Sequence, residues 1–385
     1  VGHERRLLTP QFAAVMAATA FYFLAYGAVT PVLPHYVTDS LGEGNFEVGL
    51  VVGIFAVSAI VTRPLAGRLG NAVGRRWLMV LGSVIAGASI ACYGASGSLT
   101  QILVLRLLTG IGEGFFYTGC ATVVTDLAPE HRRGEAISLF SVAIWIGNGL
   151  GPAIGQVVYR SLGAPASFLV AASFSAVAFV LSFGVPHMRV AHIAGEQRPR
   201  LIGVQALLPG SVLALTIAGT TAFNAYVPLY ADRIHLGGVQ YVFVVYAVIV
   251  LSARVFLARL PDRWGPMRSG TAATSLMALG FLVIALSGDA VGLYAGTVLM
   301  AAGNSLIFPA LLALALYGVS IRDRASVVGT FSGFFDVANG FGGISLGAVA
   351  GLAGYRACFA GGAVYAVAGL GLLRTRIAAR VARQS

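Results

Sequence analysis

Residues 63–76 read Arg63-Pro-Leu-Ala-Gly67-Arg68-Leu-Gly-Asn71-Ala-Val-Gly74-Arg75-Arg76. From a point 191 positions later the chain reads Arg254-Val-Phe-Leu-Ala-Arg259-Leu-Pro-Asp262-Arg263-Trp-Gly265-Pro-Met-Arg268. The same offset pairs Gly112-Glu113 with Gly303-Asn304, Phe140-Ser141 with Phe331-Ser332, and Asn148-Gly149-x-Gly151 with Asn339-Gly340-x-Gly342. A three-residue difference in one loop carries the register upstream, where Leu33-Pro34-x-Tyr36 meets Val227-Pro228-x-Tyr230. A fixed-offset repeat in a very apolar chain predicts two halves of a membrane bundle, with the substrate path where the halves meet.

The composition agrees. Of 385 residues, 57% are hydrophobic and only 10% charged, and the mean hydropathy is +0.85. A soluble domain of this length cannot bury that much apolar surface. A spanning helix takes about 20 apolar residues. Stretches at roughly 11–37, 47–67, 77–97, 101–125, 135–159, 165–186, 205–231, 239–258, 269–287, 291–318, 326–351 and 356–373 meet that requirement. The expected fold is an all-α membrane protein, twelve transmembrane helices in two pseudo-symmetric six-helix bundles. The expected division is an N-terminal bundle over 1–186, a cytoplasmic hinge loop over 187–204, and a C-terminal bundle with a basic cytoplasmic tail over 205–385.

All 25 cationic side chains are arginine. Without lysine the chain cannot build a P-loop for ATP or a lysine Schiff base. Energy for uphill work then comes from an ion gradient or a separate subunit. The net charge of +11 could suggest nucleic acid, but its distribution argues for topology instead. In a twelve-span layout nearly every loop and tail arginine falls on one side, and only Arg160, Arg233 and Arg356 fall on the other. By the positive-inside rule both termini and the hinge are expected to be cytoplasmic. Cys92, Cys120 and Cys358 lie far apart, with no metal-ligand or disulfide spacing. The first span is longer than a signal-peptide core and reads as a retained helix.

The loops at 67–76 and 259–268 resemble motif A of the major facilitator superfamily, G-x-x-x-D-x-x-G-R-R. The fourth span carries Arg106-x-x-x-Gly110-x-Gly112, which is similar to motif B. The fifth carries Gly147-x-x-x-Gly151-Pro152-x-x-Gly155, which is similar to motif C of the drug:proton antiporter branch, although Ser138 and Gln156 stand where glycine is usual. The resemblance covers essentially the whole chain. It implies a major facilitator fold, no cofactor and alternating access.

The motif A residues are Gly67, Asn71, Gly74, Arg75 and Arg76, with Asp262 and Arg263 in the second copy. Gly67 and Gly74 suit a tight turn and close helix approach. Arg75 and Arg76 suit helix C-terminal carbonyls and anionic headgroups. The resemblance implies that the motif's aspartate faces a helix N-terminus of the other half and holds the outward-open state. Asn71 stands at that position and forgoes a charge–dipole attraction of about 0.3–1 kcal/mol. A weakened cytoplasmic latch is therefore expected, and Asn71→Asp should change cysteine accessibility of the cytoplasmic cavity. In motif C, Gly151-Pro152 bends the helix while the glycines admit a neighbour. A packing role and a gating role are both open.

Ionisable residues deep in the spans are Arg106 and Glu113 on the fourth and Asp336 on the eleventh. Each costs roughly 2.5–3.5 kcal/mol at a span centre, so each marks a wet or paired site. Arg106 and Glu113 are seven residues apart, on one face, separated by a rise of about 10 Å. They either pair along the helix or face one cavity at two depths. Burial raises a carboxylate's pKa and a nearby arginine lowers it, so a carboxylate alternating between the two settings can load and release a proton. Glu113 is the first candidate for that role and Asp336 the second. Neither is duplicated, since Glu113 aligns with Asn304 and Asp336 with Trp145. The resemblance places Arg106 near the proton site; holding an anionic substrate and anchoring the span near the outer interface are its other readings. Arg63 and Arg254, at the inner ends of their spans, are expected to be interfacial anchors or partners in the loop network.

The family's cavity is lined by spans 1, 4, 7 and 10. Those spans carry Tyr22, Tyr26 and Thr30; Phe116 and Tyr117; Phe223, Asn224 and Tyr226; and Asn304. Trp145, Asn148, Tyr246 and Phe335 can contribute from neighbouring helices. Aromatic walls with few polar groups suit a lipophilic, drug-sized molecule. Tyr36 and Tyr230 are expected in the outer aromatic belt. The expected function is proton-coupled efflux of such compounds from a bacterial-type inner membrane by a monomer. Its partners would be the small-molecule substrate, protons and the bilayer, with no nucleic acid and no metal. The alternatives are proton-coupled transport of a sugar, amino acid or lipid-like metabolite, or a non-transporting membrane sensor.

Overall fold

The 191-residue offset reappears as backbone geometry. Gly74 and Gly265 each precede a helix with positive φ, +97° and +81°. Gly163 and Gly354 each break a long helix, with φ/ψ of 80°/177° and 82°/−179°. A side chain at any of the four would be strained, so these glycines fix the corners of the bundle. Ser98 and Asp289, also 191 apart, both cap a helix N-terminus; they accept from the amides of Gln101 at 3.4 Å and Gly292 at 2.8 Å.

A computed structural model of the chain describes residues 7–129, 132–186, 203–256, 263–320 and 323–377. In order the helices are α1 (Pro10–Val29), the short α2 (Val32–His35), α3 (Asn45–Val73), α4 (Arg75–Tyr93), α5 (Leu99–Leu127), α6 (Arg133–Ser182), α7 (Leu207–Arg233), α8 (Val239–Phe256), α9 (Pro266–Ser287), α10 (Ala290–Leu316) and α11 (Arg324–Leu372). Among the described residues nine helices are long and apolar enough to cross a membrane, and Val239–Ala253 is a shorter apolar one. With 50 and 49 residues, α6 and α11 would each run about 75 Å if straight. That is more than twice the ~30 Å hydrocarbon core. Their bends at Gly163 and Gly354 make each a pair of crossings, so the all-helical architecture accommodates the twelve expected spans. Leu162, Val180, Val291 and Leu352 point large apolar side chains outward, at 69%, 64%, 77% and 91% exposure. Such a surface requires lipid as its solvent.

The chain forms two compact units: residues 1–36 with 54–193, and residues 37–53 with 194–385. The first part of α3 thus belongs with the second unit. Most of the expected hinge, 187–202, lies outside the described residues, as do Asp262 and the tail from 378.

In the first unit α1 and α6 meet through small residues. A methyl on Gly151 would lie 2.8 Å from Gly27 Cα and from the Leu24 carbonyl, and one on Gly27 would lie 2.8 Å from the Gly147 carbonyl. A methyl on Gly155 would collide with the Ala28 carbonyl. The motif C glycines therefore pack α6 on α1, and Pro152 sits inside that contact, its Cδ 3.0 Å from the same methyl on Gly27. Gly82 of α4 and Gly112 of α5 oppose each other, each methyl position within 2.7 Å of the other's carbonyl. Arg75, at the start of α4, is buried; it pairs with Asp126 near the end of α5 and donates to the Thr122 carbonyl at 3.4 Å. Arg75 thus engages both a carbonyl and a carboxylate of α5. Arg76 lies 5.6 Å from the Trp77 ring. Gly67, by contrast, has open space around it inside α3 and brings no helix close.

In the second unit Gly49 and Gly53 of α3 face Gly340, Gly343 and Gly347 of α11, a backbone-to-backbone crossing of two small-residue stripes. Asn45 fastens its end. The Tyr226 hydroxyl donates to the Asn45 carbonyl at 2.6 Å, the Tyr355 hydroxyl to Asn45 Oδ1 at 3.1 Å, and Asn45 Nδ2 to the Ala350 carbonyl at 3.4 Å. Arg356 donates to the carbonyls of Ala285 and Leu286 at 2.7 and 2.6 Å and caps the C-terminus of α9. Tyr36 and Tyr230 are buried rather than set in a lipid-facing belt. Tyr36 donates to the Ser96 carbonyl at 2.5 Å and meets Phe168 edge-on, and Tyr230 meets Phe359 edge-on. Helix packing outweighs the interface preference because each ring has an aromatic partner within the bundle.

Candidate functional site

The charges cluster on α5. Positions 106, 109, 113 and 117 recur at helical spacing and share a face, so Arg106, Thr109, Glu113 and Tyr117 stand in one row. Glycines on the same helix let its neighbours close in. A methyl on Gly110 would collide with the Phe55 carbonyl of α3, and one on Gly114 would lie 2.8 Å from Thr62 Cβ.

Glu113 is 6% exposed. Arg63 of α3 donates through Nη2 to both of its oxygens, 3.1 Å to Oε1 and 3.4 Å to Oε2. The guanidinium also lies over the Tyr117 ring, 4.2 Å from its centroid. Such a cation–π contact is worth about 0.5–1 kcal/mol when exposed and about 2 or more when desolvated. The sequence pattern gives Arg63 as an interfacial anchor or a partner in the loop network; the structure makes it a partner of Glu113. The pointer is present in the repeat, where Arg63 and Arg254 correspond, but position along a span does not say which neighbouring helix a side chain meets.

Arg106 is buried two turns away, 4.6 Å from the Phe55 ring centroid. Its Nη1 lies 3.5 Å from the Tyr93 hydroxyl, which shares a 2.5 Å hydrogen bond with Thr109 Oγ1. Arg106 and Glu113 stand at two heights on α5, with Phe55 beside the Arg106 guanidinium and Tyr117 beside that of Arg63. Phe55 and Tyr93 are not legible in the sequence as site residues, because aromatic side chains in a span are ordinarily packing.

The expected cavity residues divide by exposure. Tyr22 and Phe116 are buried and stacked on each other, centroids 3.9 Å apart and planes 8° from parallel. Tyr26, Thr30, Tyr117, Trp145 and Asn148 of the first unit keep part of their surface. Tyr26 packs on Phe55 at 5.4 Å and Tyr117 on Phe140 at 5.7 Å. In the second unit Phe223, Tyr226 and Asn304 are buried, whereas Asn224 and Phe335 are partly open. Asn304 Nδ2 donates to the Tyr246 hydroxyl at 2.7 Å, and Tyr246 stacks on Phe223 at 6.2 Å. Tyr226 is committed to Asn45. Phe308 of α10 meets Phe331 at 5.3 Å and Phe335 at 5.4 Å. The Tyr117–Phe140 and Phe308–Phe331 contacts are therefore one contact repeated at the 191-residue offset. Asp336 is 3% exposed, one turn before Asn339, which accepts from Thr221 Oγ1 at 2.9 Å.

Arg63 and Glu113 form an ion pair between α3 and α5. A buried ion pair is marginal as a source of stability, but removing one partner costs about 3–5 kcal/mol because the other charge is orphaned.

Comparison with known proteins agrees with this architecture. The family model of the Major Facilitator Superfamily matches residues 15–319. The chain is 26% identical over 371 residues to YhhS, an uncharacterised MFS-type transporter of Escherichia coli (strain K12), covering 93% of this chain and 89% of that one. Among solved structures it is similar to the human organic anion transporter MFSD10 (TETRAN), with TM-score 0.71 and 20% identity over 94% of this chain and 99% of that one. It is also similar to the nucleoside transporter NupG, with TM-score 0.72 and 16% identity over 94% and 98%.

Proposed function

The chain belongs to the Major Facilitator Superfamily and is a multi-pass membrane transporter, not an enzyme; from that premise we propose that it moves small, mostly apolar molecules by proton coupling, with Glu113 as the proton carrier. One observation carries this reading. Glu113 is a buried carboxylate whose charge is balanced by Arg63 from a different helix, at a position where the second repeat has the neutral Asn304. A structural role shared by both halves would not need an acid in one only. Arg106 tunes the same face, and Asp336 is the second candidate for carrying a proton. Tyr26, Tyr117, Trp145 and Phe335 offer partly open aromatic surface to a lipophilic substrate.

Transport works by alternating access in this reading, in a bacterial-type inner membrane, with a monomer as the working unit and both termini cytoplasmic. Outward movement in exchange for protons is what the motif C resemblance implies. Its glycines are engaged in packing α6 on α1, so the direction depends on how substrate and proton bias each other at Glu113. In proteoliposomes under an imposed pH gradient, Glu113→Gln should abolish gradient-driven accumulation while substrate exchange persists. Asp336→Asn is the parallel test for the second acid. Wild-type accumulation by both variants sinks proton coupling at these residues.

A further inference from the structure

Asn224 is out of place on α7. Every other residue from Thr216 to Ala231 is buried, and Asn224 alone keeps part of its surface. Its amide has no hydrogen-bond partner among the described residues. In the first repeat the corresponding residue is Thr30, whose hydroxyl donates to the Tyr26 carbonyl of its own helix at 3.1 Å. One turn before Asn224 stands Thr220, 6% exposed, whose Oγ1 is buried without a partner. Unpaired polar groups inside a span are costly, so two of them on adjacent turns mark a place that water or a ligand completes.

Thr220 and Asn224 stand on one side of α7. At about 100° per residue, both fall between the directions of Thr221 and Phe223. Thr221 bonds to Asn339 of α11 at 2.9 Å, and Phe223 stacks on Tyr246 of α8 at 6.2 Å. Tyr246 accepts from Asn304 of α10, and Phe308 of α10 meets Phe335 of α11. These four contacts join α7, α8, α10 and α11 in a closed ring. The opposite side of α7 is filled, since Gly219 packs on Phe281 of α9 and Gly362 of α11, and Tyr226 is bonded to Asn45. Thr220 and Asn224 therefore face the side that the ring encloses, where Phe308 and Phe335 keep part of their aromatic surface.

We infer that Asn224, assisted by Thr220, is a specificity-determining residue, and that the transported compound is a neutral aromatic molecule carrying a carboxamide or lactam. This rests on the reading that the substrate is small and mostly apolar. An asparagine amide presents a donor and an acceptor side by side, and it pairs with a group that presents the same two in reverse, as a primary amide or a lactam does. The Thr220 hydroxyl can donate or accept once more. Phe308 and Phe335 offer their faces to the aromatic body. None of the side chains that close the ring is cationic, so a carboxylate would lose its water without gaining a counter-charge. An amine is the rival ligand, because Asp336 lies one turn before Asn339 on α11.

The test is calorimetric binding to the full chain in lipid nanodiscs at pH 7, with empty discs as the blank and 2-naphthamide and quinolin-2-one as probes. N,N-dimethyl-2-naphthamide and N-methylquinolin-2-one lack the donor, and 2-naphthoate and 2-naphthylmethylamine are the charged analogues. The amide or the lactam should bind at least about tenfold more tightly than its controls, because a site with polar groups to satisfy rejects an analogue that leaves them unpaired. In Asn224→Leu that preference should disappear, while the donor-free compounds bind as they do to the wild type and the melting temperature is kept or raised. A residue needed only for packing would weaken all the compounds together. Thr220→Val, which keeps the shape without the hydroxyl, should lose about three- to tenfold in amide affinity. An undiminished preference in folded Asn224→Leu, or in Asn224→Ala should the leucine variant not fold, overturns the inference. Equal binding of the neutral compounds, or tighter binding of the carboxylate or the amine, overturns it and leaves the apolar-substrate reading standing. No binding by any of these lipophilic probes overturns both.

Discussion

Two equivalent places in the repeat have been filled with different chemistry. In the first unit Glu113 meets Arg63, and Phe55 lies under Arg106. In the second, Asn304 occupies the position of Glu113 and donates to the hydroxyl of Tyr246, which occupies the position of Phe55. Thr297, in the place of Arg106, bonds back to the Leu293 carbonyl of its own helix. Around both sites the scaffold is unchanged: the capping Ser98 and Asp289, the positive-φ corners at Gly74 and Gly265, and the ring pairs on Tyr117 and Phe308. The fold needs the glycines and rings. It does not need a charge pair, because a neutral amide–hydroxyl bond serves the same location. The charges in the first unit are therefore the part of this region left for function to explain.

The comparison breaks most visibly at Arg63. Arg63→Ala should destabilise the protein by up to about 3–5 kcal/mol by taking the arginine away from a buried carboxylate. The loss should shrink at low pH, where a proton removes that charge, and should be largely relieved in the double variant with Glu113→Gln. Thermal melts at two pH values measure it, and an equal loss in single and double variants would show that packing, not charge, is responsible. Next in size, Gly112→Ala presses a methyl to 2.7 Å from the Gly82 carbonyl and should cost about 1–3 kcal/mol in unfolding free energy. On the other side of the comparison, Tyr246→Phe removes the hydroxyl bonded to Asn304. The expected loss is about 0.6–1.7 kcal/mol, the range for interhelical hydrogen bonds in membranes, with transport coupling to protons unaltered. The smallest effect has the opposite sign. Gly67→Ala meets open space inside α3 and should stabilise by about 0.5–1 kcal/mol. A destabilisation there would mean that Gly67 serves a close approach in another state of the transport cycle.

Much of the scaffold is legible in the residues alone. The offset of 191 reveals the two halves, and the glycines at 74, 147 and 151 mark real corners and contacts. Glu113 and Asp336 stand out because an ionisable residue in a span is costly enough to need a reason. Arg63 is legible only as a repeated arginine near a span end. Its side chain is long enough to serve a neighbouring helix, and which helix depends on rotation about the axis of α3. Tyr36, Tyr226 and Tyr230 escape a residue-level reading for the same reason. A tyrosine's residue type suits a lipid belt, a cavity wall or a buried hydrogen bond equally well, and the partners at Ser96, Asn45 and Phe359 come from distant parts of the chain.

By itself the sequence determined that the chain lives in a bilayer, that it is a duplicated helical bundle, and which charges are out of place in one. Those properties follow from hydropathy, length and periodicity, each of which is local or repeats at a fixed spacing. Only the tertiary structure decided that Glu113 meets Arg63 of α3, that motif C packs α6 on α1, and that Arg75 answers to Asp126. Those outcomes depend on how helices rotate and settle against one another. That is set by the summed fit of many small residues along each contact, not by any residue whose identity announces its partner.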